Sequence, residues 1–525
     1  MKWKRSAVLA GLSIALLSTS ACGGTTEKEG QASSSPAGTA ASPAASSPPV
    51  EIKLMANFPS AEQTASDKKF IAEIEAKNNV KLTFEVPPST GYKERLQLML
   101  ASGTYPDAIM FLESADQSFQ NAVKEGIVIP VNEYIKDKKN LQEFTYPASW
   151  DQLRINQDDK IYGIPRTSVV RNDAYMVRKD WLDNIGFKVP DNFEITIEQF
   201  EEILTKFTNN DPDKNGKKDT YGYGGAYNAQ KALDPIIPGA FGLTGWQKAS
   251  GGEYGFMNPM YDKNSTAYKE ALEFSARMYK SGFFDPDSAT NDAAKQRERF
   301  VKGVTGIFPY FAGYITGVRN DTRKNFPNSE VTYLYVKNKN GVVQNGSLGA
   351  SSTGLWGFWA ISSTSKNPQK VAEVLDSWIS DDMWQKTAYG FEGVDYQMKD
   401  GVAVVMDPAP TPAQFRRSTM RRAYDTNFFV GITWTKEEKA EIVPWIEKSI
   451  ETVVPALDNA FVPDAAKKPN YMDYDKVWQQ TIMKIIMGDE PVTKFDSLLD
   501  GWYKNGGTDY VKQMNDYIKK MQSSK

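Results

Sequence analysis

The chain has 525 residues, with 62 Lys and Arg against 65 Asp and Glu, one cysteine and no histidine. The missing histidine excludes Ser-His-Asp and Cys-His nucleophiles, His-ligated zinc and imidazole acid–base chemistry. The slightly acidic balance argues against a nucleic-acid partner, and the length calls for two lobes instead of one small core.

The first elements concern export. Lys2, Lys4 and Arg5 form a positive start, Ala7 to Leu17 an apolar stretch too short for a mature spanning helix, and Thr19-Ser20-Ala21 a small-residue cleavage site. Residues 1–21 are therefore predicted to be a signal peptide. Removing its three cations leaves 59 Lys and Arg against 65 Asp and Glu. The sole cysteine, Cys22, follows directly, and the junction resembles the bacterial lipobox with Thr19 where Leu is usual. The resemblance implies lipidation of Cys22 and an anchor in the bilayer. Residues 22–50 are predicted to be a tether, since a Gly/Ser/Thr/Ala/Pro stretch buries too little apolar surface to offset its ordering entropy. Such a linker reaches roughly 30 Å from the membrane. One cysteine permits no internal disulfide.

Beyond the tether the pattern is α/β. Glu51–Met55 alternates as a half-buried strand, Ser66–Val80 has helical spacing, and Lys81–Val86 alternates again. A helix over Tyr92–Ser102, stopped by Gly103, precedes an apolar strand Ala108–Phe111 and a helix Gln117–Lys124. This order predicts a parallel or mixed sheet with covering helices. Helices then dominate: Thr196–Asn209, Ser265–Ser281, Ala293–Lys302, Pro368–Ser380, Lys436–Leu457, Tyr474–Met487 and Lys494–Met521. Trp181, Trp378, Trp445, Trp478 and Trp502 fall on helix-periodic faces and are read as core.

Several segments arrive in a telling order. Leu98-Met99-Leu100-Ala101-Ser102-Gly103-Thr104-Tyr105-Pro106-Asp107 is followed by Lys160-Ile161-Tyr162-Gly163-Ile164-Pro165, Tyr175–Leu182, Phe300–Ile307, Trp359–Ser362 and Asn367-Pro368. Together they resemble family 1 extracellular solute-binding proteins, the capture subunits of ABC importers. The long C-terminal part and the tether make the chain most similar to the lipoproteins that bind pectic or alginate fragments. The resemblance implies a two-lobed periplasmic-binding-protein fold, each lobe a mixed sheet covered by helices, with the ligand cleft between them. It implies 51–165 with 307–365 for lobe one and 166–306 with 366–525 for lobe two. Implied partners are an oligosaccharide and the permease subunits of an ABC transporter, with the protein a monomer at the outer face of the cytoplasmic membrane.

Asp211, Asp213, Asn215, Lys217 through its carbonyl, and Asp219 occupy positions 1, 3, 5, 7 and 9 of a loop with Gly216 at position 6. This pattern suits calcium, which takes six to eight oxygens. Position 12 is Gly222, where an EF-hand has a bidentate Glu; a solvated acidic turn is the alternative. Relatives carry such a loop as a structural calcium site, and Thr220 or water would complete the shell.

Sugars need flat aromatic faces and planar polar groups. The resemblance places a cleft aromatic at Tyr310 and a stacking tryptophan at Trp434. Relatives specialised for uronic acids use polar or charged residues beside that tryptophan; Gly431, Ile432 and Thr433 stand there instead, which counts against an acidic ligand. Asn57, Phe58, Arg166 and Trp356 are further candidates at strand ends. Competing readings are a surface-anchored hydrolase or lyase using a carboxylate pair, which needs no histidine, and a lipoprotein presenting sugar to a membrane sensor.

Overall fold

The computed structural model describes residues 47–523 except 60, 156–158, 171–172, 226–236, 250, 290–291, 345–352, 407–413, 424–433, 455–456 and 459–460. Cys22, the signal peptide and most of the tether lie outside the described residues, as do Gly431, Ile432 and Thr433. Fourteen strands are described: β1 (Val50–Met55), β2 (Val80–Glu85), β3 (Ala108–Phe111), β4 (Ile164–Thr167), β5 (Ala174–Arg178), β6 (Glu194–Ile195), β7 (Tyr221–Tyr223), β8 (Gln247–Lys248), β9 (Phe256–Met257), β10 (Thr305–Tyr310), β11 (Val331–Val336), β12 (Leu355–Ile361), β13 (Tyr396–Lys399) and β14 (Val402–Val405).

Two five-stranded sheets organise the body, in the orders β2-β1-β3-β12-β4 and β6-β11-β5-β10-β7. β1 runs parallel to β2 and β3, and β12 lies antiparallel between β3 and β4. In the second sheet β10 and β11 flank β5 antiparallel, with β7 and β6 parallel outside them. Both sheets are mixed and carry helices on their faces, as the alternation of β and α segments demands.

Local chemistry explains the leading elements. Thr64 accepts from the Asp67 amide while Asp67 accepts from the Thr64 amide, a reciprocal cap that starts the helix Ala65–Asn78. Gly103, at φ 72°, stops the helix Tyr92–Ser102 in a left-handed conformation. The turn that follows is pinned by Asp107, whose carboxylate accepts from the Lys53 amide at 2.9 Å and the Ser365 hydroxyl at 2.6 Å. That one residue ties β1 to the segment after β12.

The expected lobe boundaries need correction. β10 and β11, placed by the expectation in lobe one, pair with β5: Ile307 stands opposite Val177, Tyr310 opposite Ala174 and Leu334 opposite Tyr175. They belong to the second sheet. The chain enters the first sheet again only with β12, which lies wholly within it. The helix Pro368–Trp378, expected in lobe two, packs on the first core, where Trp378 lies edge-on to Phe70 at 4.9 Å and Ser377 donates to Asn78. Phe391, Phe415 and Met420 join the same core, whereas the helices from Pro469 onward join the second. The first sheet and its core thus draw on β1–β4, β12 and the helices Pro368–Trp378 and Gln414–Thr419, and the second sheet and its core on β5–β7, β10, β11 and the helices from Pro469 onward. The expected helix Lys494–Met521 is broken at Tyr503–Gly507 by Gly506, at φ 116°. Trp181, Trp378, Trp445, Trp478 and Trp502 are all buried.

Candidate functional site

The strand directions decide where a ligand would sit. The C-terminal ends of β1, β3 and β4 and the start of β12 share one edge of the first sheet. The ends of β7, β10 and β11 and the start of β5 share one edge of the second. Only residues 168–173 separate the end of β4 from the start of β5, so the two edges are joined there. Ligands of α/β sheets collect at such carboxyl ends.

On the second edge, β10 ends in Tyr310, half-buried against a cluster containing Phe308, Phe311, Ile442, Trp445 and Trp434. Rings continue outward: Tyr310 lies 5.2 Å from Phe308 and 5.3 Å from Tyr314, and Tyr314 is 47% exposed. The backbone is held by Tyr333, whose hydroxyl donates to the Tyr310 carbonyl at 2.8 Å and accepts from the Ala174 amide at 2.8 Å. Trp434 directly precedes the cap of the helix Lys436–Glu451, where Thr435 and Glu438 form a capping box. It is only 6% exposed. The structure thus brings Trp434 and Tyr310 into one cluster, but with Trp434 as a packed member and not an open platform.

On the first edge, Asn57 is half-buried just after β1. Phe58 is 1% exposed, its ring edge-on to Phe415 at 4.8 Å and to Trp359 at 6.4 Å. Phe58 is core, which corrects its assignment as a ligand contact. Arg166 and Trp356 meet at a bulge: Leu355 pairs with Thr167 and Phe358 with Pro165, leaving Trp356 and Gly357 opposite Arg166. Gly357 is required there, since φ is 104° and a Cβ would stand 3.1 Å from the Phe111 carbonyl oxygen. Burial pushes the Arg166 guanidinium down to about 10.

Sequence reasoning missed the residues that span the two edges. Arg417, on the helix Gln414–Thr419, has its guanidinium lowered by burial, and the phenols of Tyr314 and Tyr389 act against that lowering. Tyr314 belongs to the second lobe and Tyr389 packs on the first. The Thr167 hydroxyl donates to the Arg421 carbonyl at 3.0 Å and so docks this segment beside β4. No periodicity marks Arg417 or Tyr314; a hint lay in four arginines between 416 and 422 next to a lobe crossing. A separate cavity of about 490 Å³, lined by Lys179, Pro190, Arg319 and Glu441, lies at the opposite edge of the second sheet. Arg319 is paired with Glu441 there at 2.7 Å.

The acidic loop folds as a tight turn after the helix Ile197–Asn209. Asp211 accepts from the amides of Asn215 at 3.0 Å and Gly216 at 2.9 Å, and the Asn215 side-chain carbonyl oxygen accepts from the Lys217 amide at 2.7 Å. Asp211 and Lys214 take positive φ. Among the described residues no three acidic, His or Cys side chains stand as a metal shell. Instead the Asn215 amide nitrogen lies between carboxylates, donating to Asp213 at 2.8 Å and Asp219 at 3.2 Å. Burial pushes the Asp213 carboxyl up, as do its hydrogen bond to Asp211 and the charge of Asp219. Asp213 and Asp219 flank this amide donor while Asp211 accepts from backbone amides beside them, and carboxylate and amide oxygens of this kind are the donor types a hard cation such as calcium takes. The Thr220 hydroxyl is buried and donates to the Phe207 carbonyl at 2.8 Å. Gly222 cannot be a side-chain ligand: a Cβ would meet the Leu204 carbonyl oxygen at 2.8 Å and its Cα at 2.9 Å. Gly222→Ala is accordingly expected to cost about 1–3 kcal/mol by overpacking, read as a lower denaturation midpoint.

Residues 69–400 match the bacterial extracellular solute-binding protein family, and the chain belongs to it. It is similar to lipoprotein LipO of Bacillus subtilis, at 26% identity over 90% of this chain and 93% of that protein. It is also similar to the polygalacturonan/rhamnogalacturonan-binding protein YtcQ of the same organism, at 24% identity over 86% and 88%. Among solved structures, the alginate-binding protein AlgQ2 without calcium ion matches at 20% identity with a TM-score of 0.62, covering 90% of this chain and 98% of that one. The architecture is thus that of a two-lobed solute-binding protein. Among the described residues no helix is long and apolar enough to cross a membrane.

Proposed function

We propose that the chain captures an oligosaccharide between the facing strand ends of its two sheets and passes it to the permease subunits of an ABC transporter. Membership of the solute-binding family is the observation that carries this reading, and the names of YtcQ and AlgQ2 support a carbohydrate as the solute. Tyr310 and Tyr314 offer ring faces for sugar C–H surfaces, and Asn57, Trp356 and Arg417 offer polar groups across the gap. Lobe closure over the ligand would then be a hinge motion between the two sheets. The protein binds without converting its ligand, acts as a monomer, and is held at the outer membrane face by a lipid on Cys22. The loop Asp211–Asp219 holds a structural calcium ion through Asp211, Asp213, Asn215, Asp219 and the Lys217 carbonyl, fastening the region between the helix Ile197–Asn209 and β7.

A thermal-shift and tryptophan-fluorescence screen against pectic, alginate, xylan and fructan oligosaccharides tests the reading. At a ligand concentration a hundredfold above Kd, the binder should stabilise the fold by about 2.7 kcal/mol. Chromatography should return the sugar intact. Shortening of the oligosaccharide by pure protein would replace capture by carboxylate hydrolysis.

A further inference from the structure

We infer that the captured oligosaccharide carries anionic groups, carboxylates or sulfate esters, and that Arg166 docks one of them. This rests on the capture reading above and specifies its ligand class.

Three other arginines with little exposure have acidic partners. Arg178 is 2% exposed and forms a two-pronged pair with Asp180 at 2.6 and 2.8 Å. Arg416 is 0% exposed and has Asp67 at 3.2 Å and Asp395 at 3.9 Å. Arg299 pairs with the buried Asp285. Arg166 breaks the pattern. Its Nε and Nη1 are closed off from solvent and donate to nothing, while the residue as a whole keeps partial exposure at the strand edge.

Removing a cation from water without a partner costs several kcal/mol. A pair with an acid of this chain would relieve that cost, but among the described residues no carboxylate lies within 4 Å of it. The β12 bulge sets two residues against Arg166, and one of them, Gly357, has no side chain; a Cβ there would come within 3.8 Å of Nε. The neighbouring Thr167 holds the segment bearing Arg417 and Arg421 against β4, so further positive charge is carried along this edge. Guanidinium presents planar paired donors that match a carboxylate or sulfate, and it keeps its charge even where burial weakens it. A neutral sugar hydroxyl could accept one hydrogen bond but would leave the charge uncompensated.

The test uses calorimetric titration of the purified full chain with tri- and tetragalacturonate, oligomannuronate, the methyl esters of both, sulfated galactan oligosaccharides, and neutral xylo- and fructo-oligosaccharides. An anionic member should bind best, and the carboxylate and sulfate arms identify which group is read. Methyl esterification should weaken binding to the wild-type protein at least tenfold if the carboxylate arm is the one bound. Arg166→Gln should weaken the charged ligand by roughly 30-fold or more, the scale for truncating one partner of a buried charge pair. It should weaken neutral forms far less than charged ones and leave the unfolding midpoint no lower than wild type, because a buried cation with no acidic partner among the described residues has been removed. Arg166→Lys should recover part of the loss. A neutral oligosaccharide binding best, an ester binding as well as its acid, or a clear loss of stability in Arg166→Gln would each overturn the inference while leaving capture intact. Binding of no sugar in the panel would overturn the capture reading itself, and this inference with it.

Discussion

Trp434→Ala should lower the stability of the second lobe by about 3–5 kcal/mol, the usual cost of emptying a large aromatic site in a core. The indole is 6% exposed and packs in the cluster of Phe308, Phe311, Trp445 and Ile446 beneath Tyr310. Its removal should also weaken oligosaccharide binding, because Tyr310 would lose the support that fixes its ring. Tyr310→Ala separates the two effects. Tyr310 is only half-buried, so its loss should leave the denaturation midpoint closer to wild type while reducing affinity by about ten- to a hundredfold, as for a binding hot spot of about 1–3 kcal/mol. Equilibrium denaturation and calorimetry on both variants would check this. A Trp434→Ala protein with wild-type stability and lost binding would instead make Trp434 an open stacking platform.

Calcium should reverse the sign of a single substitution. In chelator at neutral pH, Asp213→Asn should leave the melting temperature equal or higher, since burial and the neighbouring Asp211 and Asp219 disfavour the ionised carboxylate and raise its pKa. A carboxyl whose folded pKa is raised holds its proton more tightly folded than unfolded. The wild-type penalty therefore shrinks as pH falls through that pKa, and so should any advantage of the Asp213→Asn variant over wild type. With calcium a hundredfold above its Kd the wild-type fold should gain about 2.7 kcal/mol, roughly 3 °C for a body of this size, and the variant should lose most of that gain. Scanning calorimetry with and without chelator measures all four combinations. A calcium-loaded wild-type protein whose melting is indifferent to chelator would sink the site.

Much of the first sheet was legible because its signals are local. The alternation of Glu51–Met55, the Gly103 stop and the apolar run Ala108–Phe111 each specify an element within about ten residues, and all three stand where expected. The lobe assignment failed because pairing is long-range: nothing within Thr305–Tyr310 says whether it will bond to β5 or to a strand of the other sheet. The candidate site divides along the same line. Tyr310 and Arg166 sit at strand ends, where position alone marks them. Phe58 sits at a strand end too, yet its ring turns inward toward Phe415, a partner some 350 residues away in sequence. Tyr314 and Arg417 were missed because their proximity exists only once both lobes are assembled. At Gly222 the departure from an EF-hand was visible, but its cause, the backbone of Leu204, was not.

The placement of β12 has a consequence for how the chain acquires its fold. Among the described residues β4 has no neighbour in its sheet except β12, and β12 also covers the inner edge of β3. During synthesis the first 350 residues would emerge with one edge of Ala108–Phe111 and the whole of Ile164–Thr167 lacking their β12 partner, strand edges open to other chains. Non-local closure of this kind slows folding and prolongs exposure of aggregation-prone intermediates. Chains truncated before Leu355 would thus be poor substitutes for the whole, and the yield of folded protein should respond more sharply to changes in β12 than its seven residues would suggest.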